Sequence, residues 1–237
     1  MLIASRKADA CKAVADELNQ MDAPGSVEGF AGDVGTEEGV AALTKAVQER
    51  TDTLHILMNN AGISWGAPMG QFPFDAWAKV MNVNNAGMFS LTQSLLPMLI
   101  ASSNADDPAR VVNVGSVMGD APLGDGAYSY AASKAAVHQI TRIMAKELAS
   151  HHVTVNALAP GPFVSRMTAF ATADEDTRAK VGDDVPLGRV GREEDIAGCM
   201  QFLCGRGGSY ITGAILPVSG GIQVMSGPNL FRAALEG

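Results

Sequence analysis

An α/β fold, with helices layered on both faces of a doubly wound parallel sheet, is predicted for this sequence by three observations. Short β-branched runs alternate with amphipathic stretches along the chain, which is the pattern of repeated βα units. The breaks between them carry turn chemistry, as in Ala23-Pro24-Gly25, Asn60-Ala61-Gly62 and Pro160-Gly161-Pro162. The composition is that of a chain with its own core: 237 residues, 47% hydrophobic and 18% charged, long enough to bury a core without staples and too apolar to stay disordered. One domain over residues 1–237 is expected, with neither repeat nor linker.

The elements follow in order. A strand at 1–5, around Leu2-Ile3-Ala4, leads to an amphipathic helix at 9–21. A strand at 27–30 leads to a helix at 37–50, opened by Gly35-Thr36. The apolar run of 54–59 is a third strand, followed by a long helix at 74–100. The strand at 110–115, Arg-Val-Val-Asn-Val-Gly, precedes a helix at 127–150, and the strand at 153–158 ends at Pro160-Gly161. A helix at 193–203 and a strand at 214–217 complete the alternation. Residues 168–186 break it, with Asp174, Glu175, Asp176, Asp183 and Asp184 against Arg178 and Lys180; this stretch is expected to be a mobile excursion after a strand end and a candidate substrate lid.

Charge and composition exclude several functions. A net charge of −8, from 17 basic and 25 acidic residues, opposes nucleic-acid binding, which needs a basic face. Apolar runs stop well short of the roughly 20 residues that cross a bilayer, and Arg6, Lys7 and Asp9 interrupt any leader pattern, so no membrane association and a cytoplasmic place are expected. Cys11, Cys199 and Cys204 form neither a disulfide framework nor a metal-ligand set. His138, His151 and His152 have no ligand spacing and are read as helix-surface or helix-end residues; no metal site is expected.

Chemistry concentrates at the predicted strand ends. Tyr130 and Lys134 are four apart in a helix, one turn from each other on one face, where an ammonium can stabilise a phenolate and lower its pKa. Ser116 closes the strand at 110–115, 14 residues before Tyr130, so a glycine-bearing loop can bring both hydroxyls to one carbonyl oxygen. Asn59-Asn60-Ala61-Gly62 and Pro160-Gly161 close two further strands on the same edge of a parallel sheet, where ligands bind. At the end of the first strand Arg6 offers a guanidinium where an acid would grip a 2′-hydroxyl, which suits the 2′-phosphate of NADP(H) over NAD(H).

Together, Asn59-Asn60-Ala61-Gly62, Asn84, Ser116, Tyr130-x3-Lys134 and Pro160-Gly161, in this order and spacing, resemble the compact short-chain dehydrogenase/reductase family over nearly the whole chain. Residues 60–67, 134–139 and 159–168 look most like its NADPH-dependent β-ketoacyl reductases. The resemblance implies a Rossmann-like three-layer fold and the interconversion of a ketone and a secondary alcohol, on a 3-oxoacyl thioester or another small carbonyl substrate. It implies that Tyr130 is the acid or base at the substrate oxygen, that Ser116 polarises that oxygen, and that Lys134 holds the nicotinamide ribose and lowers the tyrosine pKa. Asn84 is implied in a proton relay through its backbone and a water. Asp33-Val34 corresponds to the adenine-side contact, Asn60-Ala61-Gly62 to a sheet and ribose contact, and Pro160-Gly161 to the loop against the nicotinamide. Ser165 stands where the family has a threonine touching the cofactor amide. A homodimer or homotetramer, paired through the long helices, is implied as well.

One family element has no counterpart in the sequence. No glycine triplet of the phosphate-binding spacing follows a strand and opens a helix. The chain is therefore expected to start at the family's second strand, with one βα unit absent or Met1 lying inside a longer reading frame. In the strand order 3-2-1-4-5-6 that gap falls at the centre, separating the strands at 1–5 and 27–30 from the strand at 54–59. The alternative to a reductase is then a non-enzymatic binding or oligomer-partner subunit with impaired cofactor binding.

Overall fold

The computed structural model describes residues 1–225; the rest of the expected domain over 1–237 lies outside the described residues. All strands run parallel to their neighbours, in two sheets. β1 (Leu2–Ser5) pairs with β2 (Glu28–Ala31), Leu2 opposite Glu28. The second sheet has the order β3 (Ile56–Asn59), β4 (Ala109–Val114), β5 (Val153–Pro160), β6 (Ile215–Val218). Ile56 sits opposite Arg110, Ala109 opposite Val153 and Ala157 opposite Ile215. The separation falls between β2 and β3 in sequence, as expected, and among the described residues one edge of β1 and one edge of β3 carry no partner strand.

β4 and β5 are the buried middle of the larger sheet: Val111, Val155, Ala157 and Leu158 are fully buried, as a near-continuous apolar run demands in a parallel sheet covered on both faces. β3 is different. Its Ile56 and Met58 are 43% and 38% exposed, because the edge beside them has no neighbouring strand. The helices α1 (Ala8–Asn19), α2 (Glu37–Gln48), α5 (Tyr128–Leu148) and α8 (Glu193–Cys204) lie where the apolar spacing predicts. Thr36 caps α2, its hydroxyl accepting from Gly39 N at 3.0 Å.

The helix predicted over 74–100 is not continuous. α3 (Phe74–Met81) passes through a π-turn, Asn82–Gly87, into α4 (Met88–Ser102). The wider turn brings two consecutive polar residues, Asn84 and Asn85, into the interior, a use typical of π-turns at functional sites. Gly87 lets this turn lie against the chain after β2: a Cβ there would stand 1.9 Å from the Val34 carbonyl oxygen. α4 then packs on both sides of the break between the sheets, Leu91, Leu95 and Met98 against Phe30, Val40, Leu43 and Val47, and Leu99 against Val111, Met144 and Val155.

The stretch 168–186 is helical rather than irregular. It folds as α6 (Ala169–Thr172) and α7 (Glu175–Asp183), because Asp174 caps α7 with its carboxylate accepting from Thr177 N at 2.9 Å. Thr172 and Val185 are buried anchors at either end of an otherwise largely exposed segment.

Candidate active site

The site forms where β4 ends and α5 begins. Ser116 follows β4 in extended conformation and caps a short turn at 117–119; its Oγ accepts from Met118 N at 3.2 Å. Tyr130 lies in the first turn of α5 and Lys134 one turn later. The Lys134 ammonium, almost wholly buried, donates to the Val114 carbonyl at 2.7 Å and stands 5.6 Å from the Tyr130 ring centroid. Ser116, Tyr130 and Lys134 are thus anchored to the same strand end from two directions.

Asn84 holds the third side. Its Nδ2 donates to the Ile63 carbonyl at 3.0 Å and to Ser133 Oγ at 2.8 Å, while its Oδ1 accepts from Ile63 N at 2.9 Å. The implied relay role invoked the Asn84 backbone; the side chain ties the chain after β3 to α5. Asn85 adds a bond to the Ser133 carbonyl at 2.9 Å, so adjacent amides hold Ser133 by its hydroxyl and its carbonyl. Ser133 in turn donates to the Tyr130 carbonyl at 2.7 Å. Neither Asn85 nor Ser133 was marked by the sequence, because their partners lie 48 to 49 residues away with no periodic pattern to link them.

Burial dominates the electrostatics. It holds the Lys134 ammonium down to about 8 from 10.5, since a charged form is penalised in low dielectric. The Tyr130 hydroxyl is pushed above its usual range by the same cause, and Ser116 draws it part of the way back. The expected lowering by Lys134 is not among the causes of this shift: desolvation raises it, and the lowering comes from the Ser116 hydroxyl. Tyr130 is therefore a protonated hydroxyl at neutral pH, ready to donate.

The other predicted residues lie at the ends of other strands and in the segments that follow them. Asp33 follows β2, its Oδ1 accepting from Gly35 N at 2.9 Å, and Val34 packs against the cluster around Phe30. Arg6 lies exposed at the end of β1, and Asn60 and Ala61 are exposed beyond β3. Gly161 donates to the Val218 carbonyl at 3.0 Å, and a Cβ on it would meet Ser219 at 2.9 Å; Pro160-Gly161 thus passes close against the end of β6. Ser165 Oγ shares a hydrogen bond with Thr168 Oγ1 at 2.9 Å at the entry to α6. A cavity of about 530 Å³ between α2 and α4 includes Val34, and one of about 290 Å³ includes Phe163 and Arg189; neither is lined by Ser116, Tyr130 or Lys134.

Residues 1–223 match the family model described as enoyl-(acyl carrier protein) reductase. This chain is a short-chain dehydrogenase/reductase. It is 42% identical over 224 residues to the rhamnolipids biosynthesis 3-oxoacyl-[acyl-carrier-protein] reductase of Pseudomonas aeruginosa, covering 94% of this chain and 86% of that protein. To a 3-oxoacyl-[acyl-carrier-protein] reductase of Thermotoga maritima it is 35% identical, over 85% of this chain and 79% of the relative. Among solved structures it superposes on the Pseudomonas aeruginosa RhlG/NADP active-site complex with a TM-score of 0.89 at 42% identity, over 94% of this chain and 86% of that one. A gluconate 5-dehydrogenase from Burkholderia cenocepacia, in complex with NADP and tartrate, gives 0.83 at 27% identity, over 94% and 85%.

The short-chain dehydrogenase/reductase site can be tested against a dinucleotide residue by residue. At the ribose end it fits: a Cβ on Gly62 would come within 3.5 Å of both Lys134 Nζ and Asn84 Oδ1, so glycine keeps open a space that a buried donor and acceptor face. At the diphosphate end it does not. The glycine-bearing turn between β2 and α2 has its Gly35 and Gly39 amides already bonded to Asp33 and Thr36, and the Asp33 carboxylate opposes an anion there. Among the described residues no helix of eight or more offers the glycine triplet that normally receives a diphosphate.

Proposed function

We propose that this short-chain dehydrogenase/reductase is an NADPH-dependent carbonyl reductase acting on a 3-oxoacyl thioester, with Ser116, Tyr130 and Lys134 at the reacting carbonyl and Asn84 behind them. The observation that carries the reading is the convergence of a protonated, half-buried tyrosine, a buried lysine and a strand-end serine at one end of β4. A dinucleotide, when bound, would supply the hydride. Tyr130 donates its proton to the carbonyl oxygen as that oxygen gains charge, a task for which a hydroxyl raised by burial is kept loaded at neutral pH. Ser116 donates to the same oxygen and stabilises its developing charge. Lys134 would hold the ribose and, as an ammonium 5.6 Å from the Tyr130 ring, stabilises the negative charge left on the tyrosine once its proton has gone. Asn84 holds Ile63 and Ser133 and so keeps the space beside Gly62 in register with α5.

The remaining cofactor contacts follow the same frame: Arg6 toward the 2′-phosphate, Asp33-Val34 at the adenine, Asn60-Ala61-Gly62 at the sheet end, Pro160-Gly161 against the nicotinamide and Ser165 at its amide. Residues 168–186, with α6 and α7, form the substrate lid, and the long helices α4 and α5 pair copies of the chain in a dimer or tetramer. Among the described residues no helix is long and apolar enough to cross a membrane, in keeping with a cytoplasmic enzyme. The test is NADPH oxidation by the purified chain with a short 3-oxoacyl thioester, alongside a 3-keto sugar acid. Thioester-dependent oxidation lost in Tyr130→Phe is the expected result; a folded chain that binds NADPH but turns over neither substrate overturns the reading.

A further inference from the structure

Outside the roles assigned above, α5 carries a histidine with almost no exposed surface. His138 lies on α5 one turn beyond Lys134 and is 1% exposed, against the expectation that it sits on the helix surface. Its ring fills the hollow of the loop that carries Ser116. A Cβ on Gly115 would stand 2.3 Å from His138 Nε2, and one on Gly119 would stand 2.8 Å from its Cε1. The two glycines nearest Ser116 on either side are therefore both pressed on the imidazole, and neither position has space for a side chain. Asp120, immediately after the turn, completes the arrangement with its Oδ1 3.1 Å from His138 Nδ1. Nε2 is buried and has no hydrogen-bond partner. That pattern puts the proton on Nδ1, where a carboxylate can accept it, and leaves Nε2 bare against the Gly115 backbone.

We propose that His138 and Asp120 are positioning residues for carbonyl reduction, setting the distance between the Ser116 hydroxyl and the helix that carries Tyr130 and Lys134. The proposal rests on the carbonyl-reductase reading above. The loop's own hydrogen bonds are local, Ser116 O accepting from Gly119 N at 2.9 Å and Ser116 Oγ from Met118 N at 3.2 Å; beside the imidazole it meets the helix at Gly119, where a Cβ would stand 2.8 Å from the Lys134 carbonyl carbon, and at Ser116, whose hydroxyl bonds Tyr130. On the sheet side it is fixed by Gly115 N donating to the Leu158 carbonyl at 2.7 Å. With the sheet side fixed and the turn self-bonded, the imidazole is the spacer between loop and helix, and Asp120 holds the ring in one orientation. Loss of the ring opens the hollow between Gly115 and Gly119, and relaxation of the loop into it moves Ser116 relative to Tyr130; displacements of this kind at a donor to a reacting oxygen lower kcat without weakening cofactor binding.

The test compares His138→Leu, Asp120→Ala and Asp120→Asn with the unsubstituted chain, each checked for folding by circular dichroism and thermal melting. His138→Leu and Asp120→Ala are expected to lower kcat with a 3-oxoacyl thioester about tenfold or more, on the scale of a misplaced catalytic group, while KM for NADPH stays within about twofold. Asp120→Asn, whose amide oxygen still accepts from Nδ1–H, recovers most of what Asp120→Ala loses. Because the effect runs through Ser116, His138→Leu adds little in a Ser116→Ala background, giving a strongly non-additive double-mutant cycle. A folded His138→Leu with unsubstituted kcat, or losses that multiply independently of Ser116, overturns the proposal. If the unsubstituted chain itself turns over no carbonyl substrate, the function reading is what has failed. Amide exchange then decides the spacer role alone: faster exchange at Met118 and Gly119 in His138→Leu supports it, and unchanged exchange refutes it.

Discussion

Replacing Lys134 with methionine should make the protein more stable and inactive at once. The ammonium sits in a buried site that lowers its pKa to about 8 from 10.5, and that interval corresponds to about 3 kcal/mol favouring the unfolded state wherever the lysine is charged in both states. Methionine fills similar volume without charge, so that penalty disappears. Against it stands the lost donor to the Val114 carbonyl, worth about 1 kcal/mol, leaving a net gain of about 2 kcal/mol at pH 7. The sign of the pH dependence follows from proton counting. Between pH 8 and 10.5 the unfolded chain binds more protons at this residue than the folded one, so the unsubstituted protein gains stability as pH rises through that window. The penalty is complete below pH 8 and gone above 10.5. Urea unfolding of the two proteins at pH 7, 9 and 10.5 measures the difference directly, other titrations cancelling between them. A stability advantage for Lys134→Met that shrinks as pH rises is the expected result; destabilisation at pH 7, or an advantage independent of pH, refutes the reasoning from burial.

Three further outcomes follow from the geometry. Tyr130→Phe should lower kcat by about 10² to 10⁴, the usual worth of a general acid, with NADPH binding retained in a fluorescence titration; comparable turnover would remove Tyr130 from the chemistry. Arg6→Glu should raise KM for NADPH by about tenfold or more while sparing NADH, since a carboxylate repels the 2′-phosphate and accepts from a 2′-hydroxyl, and an unchanged ratio of the two would assign that phosphate elsewhere. Asn113→Ala should cost about 3 kcal/mol in denaturant unfolding, because Asn113, fully buried, accepts from Asn59 Nδ2 at 2.8 Å and donates to Thr141 Oγ1 at 2.9 Å, and its removal strips Thr141 Oγ1 of its donor, leaves Asn59 Nδ2 with Thr92 alone, and opens a cavity.

Most of what was legible in the sequence was local, although the short-range Asp174 cap that starts α7 was not read. The strands could be read because β-branched runs between turn residues have few other conformations, and each lies within two residues of its expected bounds. Tyr130 and Lys134 could be read because helical spacing alone puts them on one face. The break between β2 and β3 could be read from the missing glycine-rich turn. Three things could not. The π-turn at 82–87 depends on Ser133 across the site holding both Asn84 and Asn85. The burial of His138 depends on the small size of Gly115 and Gly119, which approach it from another element. The direction of the Tyr130 shift depends on how much protein covers the phenol, a quantity no spacing encodes. Each is a long-range pairing or a desolvation, and neither leaves a period in the chain.

The separation of the two sheets has a dynamic consequence. Among the described residues no hydrogen bond or ion pair joins residues 1–50 to residues 54–225; the seam is made by apolar contact alone, Phe30, Val40, Leu43 and Val47 against Leu91, Leu95 and Met98. Such a seam has no directional interactions to hold register, and its strength fades on cooling as hydrophobic driving force does. The β1–α1–β2–α2 unit can thus swing open as one cooperative foldon without breaking a backbone bond of the larger sheet. The half of the molecule that carries Arg6 and Asp33 thus meets the half that carries Ser116, Tyr130 and Lys134 across apolar side chains, so heat can loosen the one while the paired strands of the other stay intact.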